Sequence, residues 1–382
     1  MKKGLYITAD FPPMTSGIAR ACYNFWKNLP AEETIVLAPA AGDWQKFDGE
    51  QKFRIYRYAP AFEEMSQPFW KKILRFIAVF IKAAAIIRKE KIDFIHAGQP
   101  VLVGRAAYLL SRIFRIPYVI YVYGGEAGKF KDSFLFKIYL ANLKKASAVI
   151  TCSDYTSSEV RKLFPDKEIT RIYPGVDTDV YRPGLDAAEL RKSLGLDGKR
   201  ILLTVARLVE RKGQNLVIEI LKELEREFPD LIYVIVGEGP SRESLEILAG
   251  KLKLGKKVFF AGKVKEEELP LFYNLCDIFV MLNIETRNEE VVEGFGISFI
   301  EASACGKPVI GGISGGAVEA VKERRTGLTV NPQNREETGE AIRFLLRNPE
   351  IGKAMGEAGR RMTVEEFDWR IVSQCFSKYI SF

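Results

Sequence analysis

The chain of 382 residues holds one histidine, His96, and five scattered cysteines with no Cys-x-x-Cys pair. That cysteine usage argues against a disulfide framework or a zinc site and fits a reducing cytosol. A single histidine leaves little acid–base equipment near neutrality. No apolar stretch is long and uncharged enough to span a bilayer. The opening run Met1–Asp10 has two lysines but only a short apolar segment, so it reads as a first strand rather than a signal peptide. Solenoid repeats and low-complexity segments are missing. Acidic residues are scarce between Ser66 and Pro117, where ten cations (Lys71, Lys72, Arg75, Lys82, Arg88, Lys89, Lys91, Arg105, Arg112, Arg115) face only Glu90 and Asp93. This local excess of eight equals the net charge of the whole chain, +8. It points the N-terminal half toward an anionic surface. Its helices show no nucleic-acid reading motif, so nucleic acid is not the expected partner.

What is present is an alternation of short apolar runs and amphipathic stretches. Gly4–Ala9, Thr34–Pro39, Phe53–Tyr58, Ile92–Ala97, Tyr118–Tyr123 and Ala148–Cys152 read as strands. Helices are expected around Ala19–Leu29, Trp70–Lys89, Val103–Phe114 and Tyr155–Phe164. The pattern restarts with strands at Arg200–Ala206, Tyr233–Gly237, Val258–Ala261, Ile278–Leu282, Pro308–Gly311 and Gly327–Val330. Strand–helix alternation implies α/β architecture with parallel, doubly wound sheets. The length accommodates two domains, and the break falls near Tyr173–Gly184, rich in Pro, Gly and Asp. The expected division is 1–173, 174–364 and a last amphipathic segment, 365–382. Ligands of such sheets bind beyond the carboxyl ends of the strands.

Most of the distinctive residues follow predicted strands. Glu293-Gly294-Phe295-Gly296 leads into Ile297-Ser298-Phe299-Ile300-Glu301, a loop turning into a short helix. The glycines allow close backbone approach to a ligand and leave N–H groups to face it. Glu301 would lie roughly two turns beyond Glu293. The spacing alone fits either two solvated glutamates or a pair of acceptors for sugar and ribose hydroxyls. Arg207 and Lys212 flank a turn after a strand; they are either surface cations or a fork and a point charge for phosphate. Gly17 opens a helix after Pro12-Pro13, as an ordinary turn glycine or as part of a phosphate-receiving helix N-terminus. Ser314-Gly315-Gly316, ahead of Glu319, is a second such place. His96 ends a strand and is either structural or part of a pocket. The helix near Trp70–Lys89 carries Ile73, Phe76, Ile77, Phe80, Ile81 and Ala84 on one face. It is either core-facing with a solvated basic side or a helix that lies on an anionic membrane.

Taken together these motifs resemble the retaining glycosyltransferases of family 4, with their Glu-x7-Glu signature and GT-B fold. The resemblance also includes Phe11–Ile18, Tyr173-Pro174-Gly175-Val176-Asp177, Val205-Ala206-Arg207-Leu208 with Lys212-Gly213, and Val236–Pro240. Gly315-Gly316 with Glu319 completes it, so it spans the chain in family order. It implies two Rossmann-like domains facing across a cleft, with the last segment crossing back onto the first domain. It assigns the donor diphosphate to Arg207, Lys212 and Gly17, sugar hydroxyls to Glu293, ribose to Glu301, backbone contacts to Gly294, Phe295 and Gly296, and the base to the neighbourhood of Val264. Catalysis then rests on Glu293, Arg207 and Lys212, with no metal and no cofactor. Asp177-Thr178-Asp179, which looks like a metal-binding Asp-x-Asp, matches a structural turn of the family.

On the acceptor side the resemblance points to Tyr123 and Glu126, and its position at a strand end adds His96 to the expected acceptor pocket. Phosphatidylinositol mannosyltransferases carry a His-Gly-x-Glu motif here, whereas this chain has Tyr123-Gly124-Gly125-Glu126. Tyrosine can donate a hydrogen bond but titrates far above neutrality. The segment from Glu293 to Val321 most resembles enzymes that use GDP-mannose; a UDP-sugar is the alternative. The expected acceptor is a lipid-linked or saccharide intermediate, met in the cytoplasm at the inner membrane face. A sugar-nucleotide epimerase would want more acid–base residues, and a non-catalytic binding subunit is the remaining alternative.

Overall fold

The computed structural model describes residues 3–14, 16–58, 69–126, 133–284 and 292–380. The chain forms two compact units, Met1–Gly175 with Trp369–Phe382, and Val176–Asp368. In the first unit β1 (Gly4–Ile7), β2 (Thr34–Pro39), β3 (Arg54–Tyr58), β4 (Phe94–Ala97), β5 (Tyr118–Val122), β6 (Ala148–Thr151) and β7 (Ile169–Arg171) make one sheet. Its order is β3-β2-β1-β4-β5-β6-β7, and every pairing is parallel. In the second unit β8 (Arg200–Val205), β9 (Leu231–Val236), β10 (Val258–Gly262), β11 (Ile278–Met281), β12 (Val309–Gly312) and β13 (Gly327–Val330) make another. Its order is β10-β9-β8-β11-β12-β13, again parallel.

Strands such as Leu-Ile-Tyr-Val-Ile-Val in β9 are buried at every position. That is why they read as continuous apolar runs: helices cover both faces of a parallel sheet. Strand order reverses between β1 and β4 and between β8 and β11. At such a switch point the following loops part and leave room for a ligand. The twelve expected strands are all present, with small shifts at their ends. β7 was not foreseen; three half-exposed edge residues are too short to show periodicity.

Helix Gly17–Lys27 follows β1. The Ser16 side chain caps it by accepting from the Ala19 N–H at 2.9 Å. Ala21, Cys22, Phe25 and Trp26 turn inward. Helix Trp369–Ile380 packs on the same ground, with Trp369 4.9 Å and Phe376 5.2 Å from Phe25, ring centre to ring centre.

His96 lies within this packing and does not reach the ligand end, contrary to its expected place. It is fully buried, 5.0 Å from Trp26, 4.8 Å from Phe94 and 6.0 Å from Phe376. Its Nδ1 shares a hydrogen bond with the Tyr121 hydroxyl at 3.0 Å. Strand alternation directs it onto the face that the two helices cover. Burial pushes its pKa down to about 3.

The basic helix spans Phe69–Glu90. Its apolar residues do not share one face. Val79, Ala83, Ile86 and Ile87 are in the core, with Phe76, Phe80 and Ala84 packed against it. Ile73, Ile77 and Ile81 join Trp70 and Leu74 in an outward stripe, Ile81 being 62% exposed. Positions 70, 74, 77 and 81 follow the three- and four-residue spacing of a single helix face.

Candidate active site

In the second unit the loop after β8 holds the short 3-10 turn Glu210–Lys212. Gly213 ends it at φ +67, and a Cβ there would stand 2.1 Å from the Leu282 carbonyl oxygen. This close approach seats the turn on the loop after β11, where the Ile284 N–H donates to the Arg211 carbonyl at 2.9 Å. Lys212 is thereby buried at 8% exposure. Its Nζ donates to Glu293 Oε2 at 2.5 Å, and Arg211 Nη1 donates to the same oxygen at 2.8 Å. Met281 Sδ lies 3.6 Å from Lys212 Nζ.

The Glu293 backbone is held from the other side. The Gly316 N–H donates to its carbonyl at 2.8 Å. A Cβ on Gly315, at φ +55, would stand 2.4 Å from that oxygen. Glycine is therefore required at Gly315 both by conformation and by space. Burial raises the Glu293 pKa, but Lys212 and then Arg211 outweigh it, and the carboxyl is held below its ordinary value. Two cations meeting one carboxylate leave a surplus positive charge in a largely buried place. Such a centre attracts an anion able to take over the cations. Arg207, in the same loop after β8, is exposed, with no side-chain hydrogen bond or ion pair among the described residues.

Helix Ile297–Ala304 begins at Gly296, φ +87. A Cβ at Gly296 would stand 2.7 Å from the Phe299 ring. The Phe299 N–H turns back to the Gly296 carbonyl at 3.0 Å, and the first turn carries the positive end of the helix dipole. The Ser298 hydroxyl fastens the helix to the β8 end by donating to the Val205 carbonyl at 2.8 Å. Phe295 is buried, its ring 5.6 Å from Phe367. Glu301, two turns from Glu293, is buried at 3% exposure and accepts from the Tyr273 hydroxyl at 2.6 Å. Val264 lies half-buried just past β10, and the Gly237 N–H ties the neighbouring loop to Gly262 at 2.8 Å. Lys212 and Glu293 thus meet directly, while Arg207, Val264 and Glu301 occupy the same sheet end or the adjoining helix without touching that pair. Arg211 was overlooked in the sequence; its adjacency to Lys212 in a turn closed by glycine was the available signal.

Asp177-Thr178-Asp179 forms a turn. Asp177 Oδ1 accepts from the Asp179 and Val180 N–H groups at 3.2 and 3.3 Å. The Thr178 hydroxyl donates to Asp368.

In the first unit Gly17 is exposed, and nothing lies within 4 Å of where a Cβ would be. Asp10, not foreseen, closes the β1 loop by accepting from the Ser16 hydroxyl at 2.5 Å. Burial raises its pKa, with Ser16 opposing. Gln99, after β4, accepts from the Ala9 N–H at 2.8 Å. Tyr123 is half-buried, its N–H donating to Glu126 Oε1 at 2.9 Å. Its hydroxyl meets Cys22 Sγ at 3.2 Å, and Cys22 also accepts from the Tyr6 hydroxyl at 2.6 Å. Burial and the neighbouring thiol hold the Tyr123 phenol well above its ordinary pKa. Tyr123 is therefore a neutral hydrogen-bonding group at pH 7.

Two parallel doubly wound units, one with a cation-rich carboxylate cluster at its switch point, make an α/β fold equipped to meet an anionic ligand. Residues 186–362 match the model of glycosyl transferases group 1, and residues 15–180 that of glycosyltransferase family 4. A GDP-mannose-dependent alpha-(1-6)-phosphatidylinositol monomannoside mannosyltransferase of Mycolicibacterium smegmatis is 32% identical, over 96% of this chain and 95% of its own. The protein of that name in Mycobacterium tuberculosis is 31% identical, over 97% and 95%. Anabaena HepE, solved with UDP and glucose, superposes with a TM-score of 0.83 at 20% identity, covering 100% of both chains. Sucrose-phosphate synthase of Thermosynechococcus elongatus does so with 0.82 at 21% identity, covering 100% and 98%. This chain belongs to the group 1, family 4 glycosyltransferases and has their GT-B fold.

Proposed function

We propose that this glycosyltransferase moves a hexose, mannose from GDP-mannose, onto a lipid-linked or polysaccharide acceptor with retention. The observation that carries the reading is the Arg211–Lys212–Glu293 cluster, whose surplus charge suits a diphosphate. The choice of GDP-mannose is supported by relatives of that specificity that align along nearly the whole chain.

Lys212, Arg207 and Arg211 stabilise the departing diphosphate as an oxocarbenium-like sugar develops. The leaving phosphate oxygen takes the acceptor proton on the same face, with no metal. Glu293 holds sugar hydroxyls once the diphosphate draws the cations away from it. Glu301 holds the ribose, Val264 lies by the base, and Gly294, Phe295 and Gly296 offer backbone N–H groups. Gly17 borders the diphosphate, and Tyr123 and Glu126 serve the acceptor.

The acceptor is met at the cytoplasmic surface of an anionic membrane. The outward stripe of Trp70, Ile73, Leu74, Ile77 and Ile81, in a region of ten cations and two carboxylates, supports that placement.

The test is thermal stabilisation by GDP, UDP, ADP and TDP at equal concentration. A ligand at about 100 times its dissociation constant adds about 2.7 kcal/mol. Selective stabilisation by GDP is expected. Selectivity for UDP would move the donor to UDP-N-acetylglucosamine or UDP-glucose. No shift with any nucleotide would overturn the donor site and leave a non-catalytic module.

A further inference from the structure

Asn283 is 1% exposed, and among the described residues neither its amide oxygen nor its amide nitrogen has a hydrogen-bond partner. Buried polar groups in native proteins are nearly always paired, because an orphan loses its water without replacement. A residue buried so completely and paired with nothing is equipped for a partner that arrives.

Its place in the fold indicates which partner. Along β11 the side chains alternate. Ile278, Val280 and Leu282 enter the core of the second unit. Phe279 and Met281 point to the opposite face, Phe279 5.6 Å from Phe299 and Met281 3.6 Å from Lys212 Nζ. Asn283 lies two residues past Met281, in the loop that leaves β11 toward Glu293, between Leu282, which meets Gly213 of the Lys212 turn, and Ile284. Ile284, the next residue, is bonded to the Arg211 carbonyl at 2.9 Å. On the β12 side a Cβ at Gly312 would stand 2.5 Å from the Asn283 carbonyl oxygen. Two residues on, Ser314 is also buried and its hydroxyl has no partner among the described residues. It directly precedes the Gly315-Gly316 turn that holds Glu293.

We propose that Asn283 binds a hydroxyl of the sugar being transferred, an inference that rests on the donor-site reading above. A phosphate accepts hydrogen bonds only and is served by the neighbouring cations. An amide offers donors and an acceptor together, and a hydroxyl is the group that answers both. When the diphosphate takes Lys212 and Arg211 from Glu293, the space between Glu293 and Asn283 opens to the sugar. Asn283 thus separates recognition of the sugar from recognition of the nucleoside diphosphate.

The experiment is calorimetric titration of the full chain, wild type and Asn283→Ala, with GDP and GDP-mannose, and with UDP and UDP-glucose alongside. Two lost hydrogen bonds correspond to an affinity fall of about tenfold to a hundredfold. That fall is expected for the nucleotide sugar only, with the free diphosphate bound within about twofold of wild type. Equal losses for both ligands, or no loss, would overturn the assignment to the sugar. Wild-type protein that binds no nucleotide sugar would overturn the donor site itself, a separate outcome. Asn283→Leu supplies a second readout: removing an unpaired amide should raise the melting temperature of the ligand-free protein. A lowered or lost transition would mean that the amide is already satisfied inside the fold, and the proposal would fall.

Discussion

Replacing Lys212 by methionine tests the central cluster. The substitution keeps the aliphatic stem and removes the ammonium. Glu293 then stays 14% exposed with Arg211 as its remaining ion partner. Removing one member of a buried pair costs about 3–5 kcal/mol when the other is left alone. Here Arg211 remains at 2.8 Å, so the lower end, about 3 kcal/mol, applies. For a unit of this size that is a fall of roughly 6–12 °C in melting temperature. The pH dependence also changes. Glu293 in the wild type has a folded pKa below its ordinary 4.5. It therefore contributes stability that is present above 4.5 and is lost as pH falls through the lower folded value. Without Lys212 the folded pKa rises and this acid-side slope shrinks. Turnover should drop by about a hundredfold or more, since a cation facing the leaving diphosphate is gone. Calorimetric scans between acid and neutral pH, with a glycosyl-transfer assay, read all three effects. Wild-type melting together with wild-type turnover would refute both the packing argument and the proposed role.

Four further outcomes are expected. Arg207→Ala should leave stability within about 0.5 kcal/mol, since the side chain is exposed and has no partner among the described residues, yet lower turnover by orders of magnitude; unchanged turnover excludes it from the diphosphate. Gly213→Ala should shift the urea midpoint strongly downward, because its Cβ would stand 2.1 Å from the Leu282 carbonyl oxygen; a midpoint equal to wild type contradicts that contact. His96 titrates at about 3 when folded and at about 6.5 when unfolded. Unfolded protein thus binds the extra proton between these values, and stability should fall on acidification by about 1.4 kcal/mol per pH unit, a slope absent in His96→Gln. Leu74→Asp with Ile77→Asp should abolish co-sedimentation with anionic vesicles at low salt without moving the melting temperature; retained binding, or equal wild-type binding to neutral vesicles, rules out the stripe as the contact.

Much of the fold was legible because local chemistry and tertiary packing agree. In β8 and β9 the apolar runs are bounded by charge or glycine, and helices cover both faces of the sheet. The site was legible in part. The glycines of Gly294–Gly296 and Gly315-Gly316 mark backbone that must approach something, and Lys212 and Glu293 carry the right charges. Arg211 was legible only through its adjacency to Lys212 before Gly213, because it is the 3-10 turn at Glu210–Lys212 that brings the two cations to one oxygen. His96 misled for a related reason: a strand end is functional territory in this architecture, but which face a residue takes depends on the helices covering it.

Composition and order by themselves determined the class of this protein: two parallel α/β units, a motif series in family order, and a basic N-terminal half. These follow from backbone preference, apolar periodicity and charge, which are properties of neighbouring residues. Tertiary structure decided what depends on residues distant in the chain. It joined Lys212 to Glu293 across 81 positions. It buried the sole histidine, divided the apolar residues of Phe69–Glu90 between core and surface, and left the Asn283 amide without a partner among the described residues. Side-chain orientation and desolvation are set by what packs opposite, and the one-dimensional chain does not state its own neighbours.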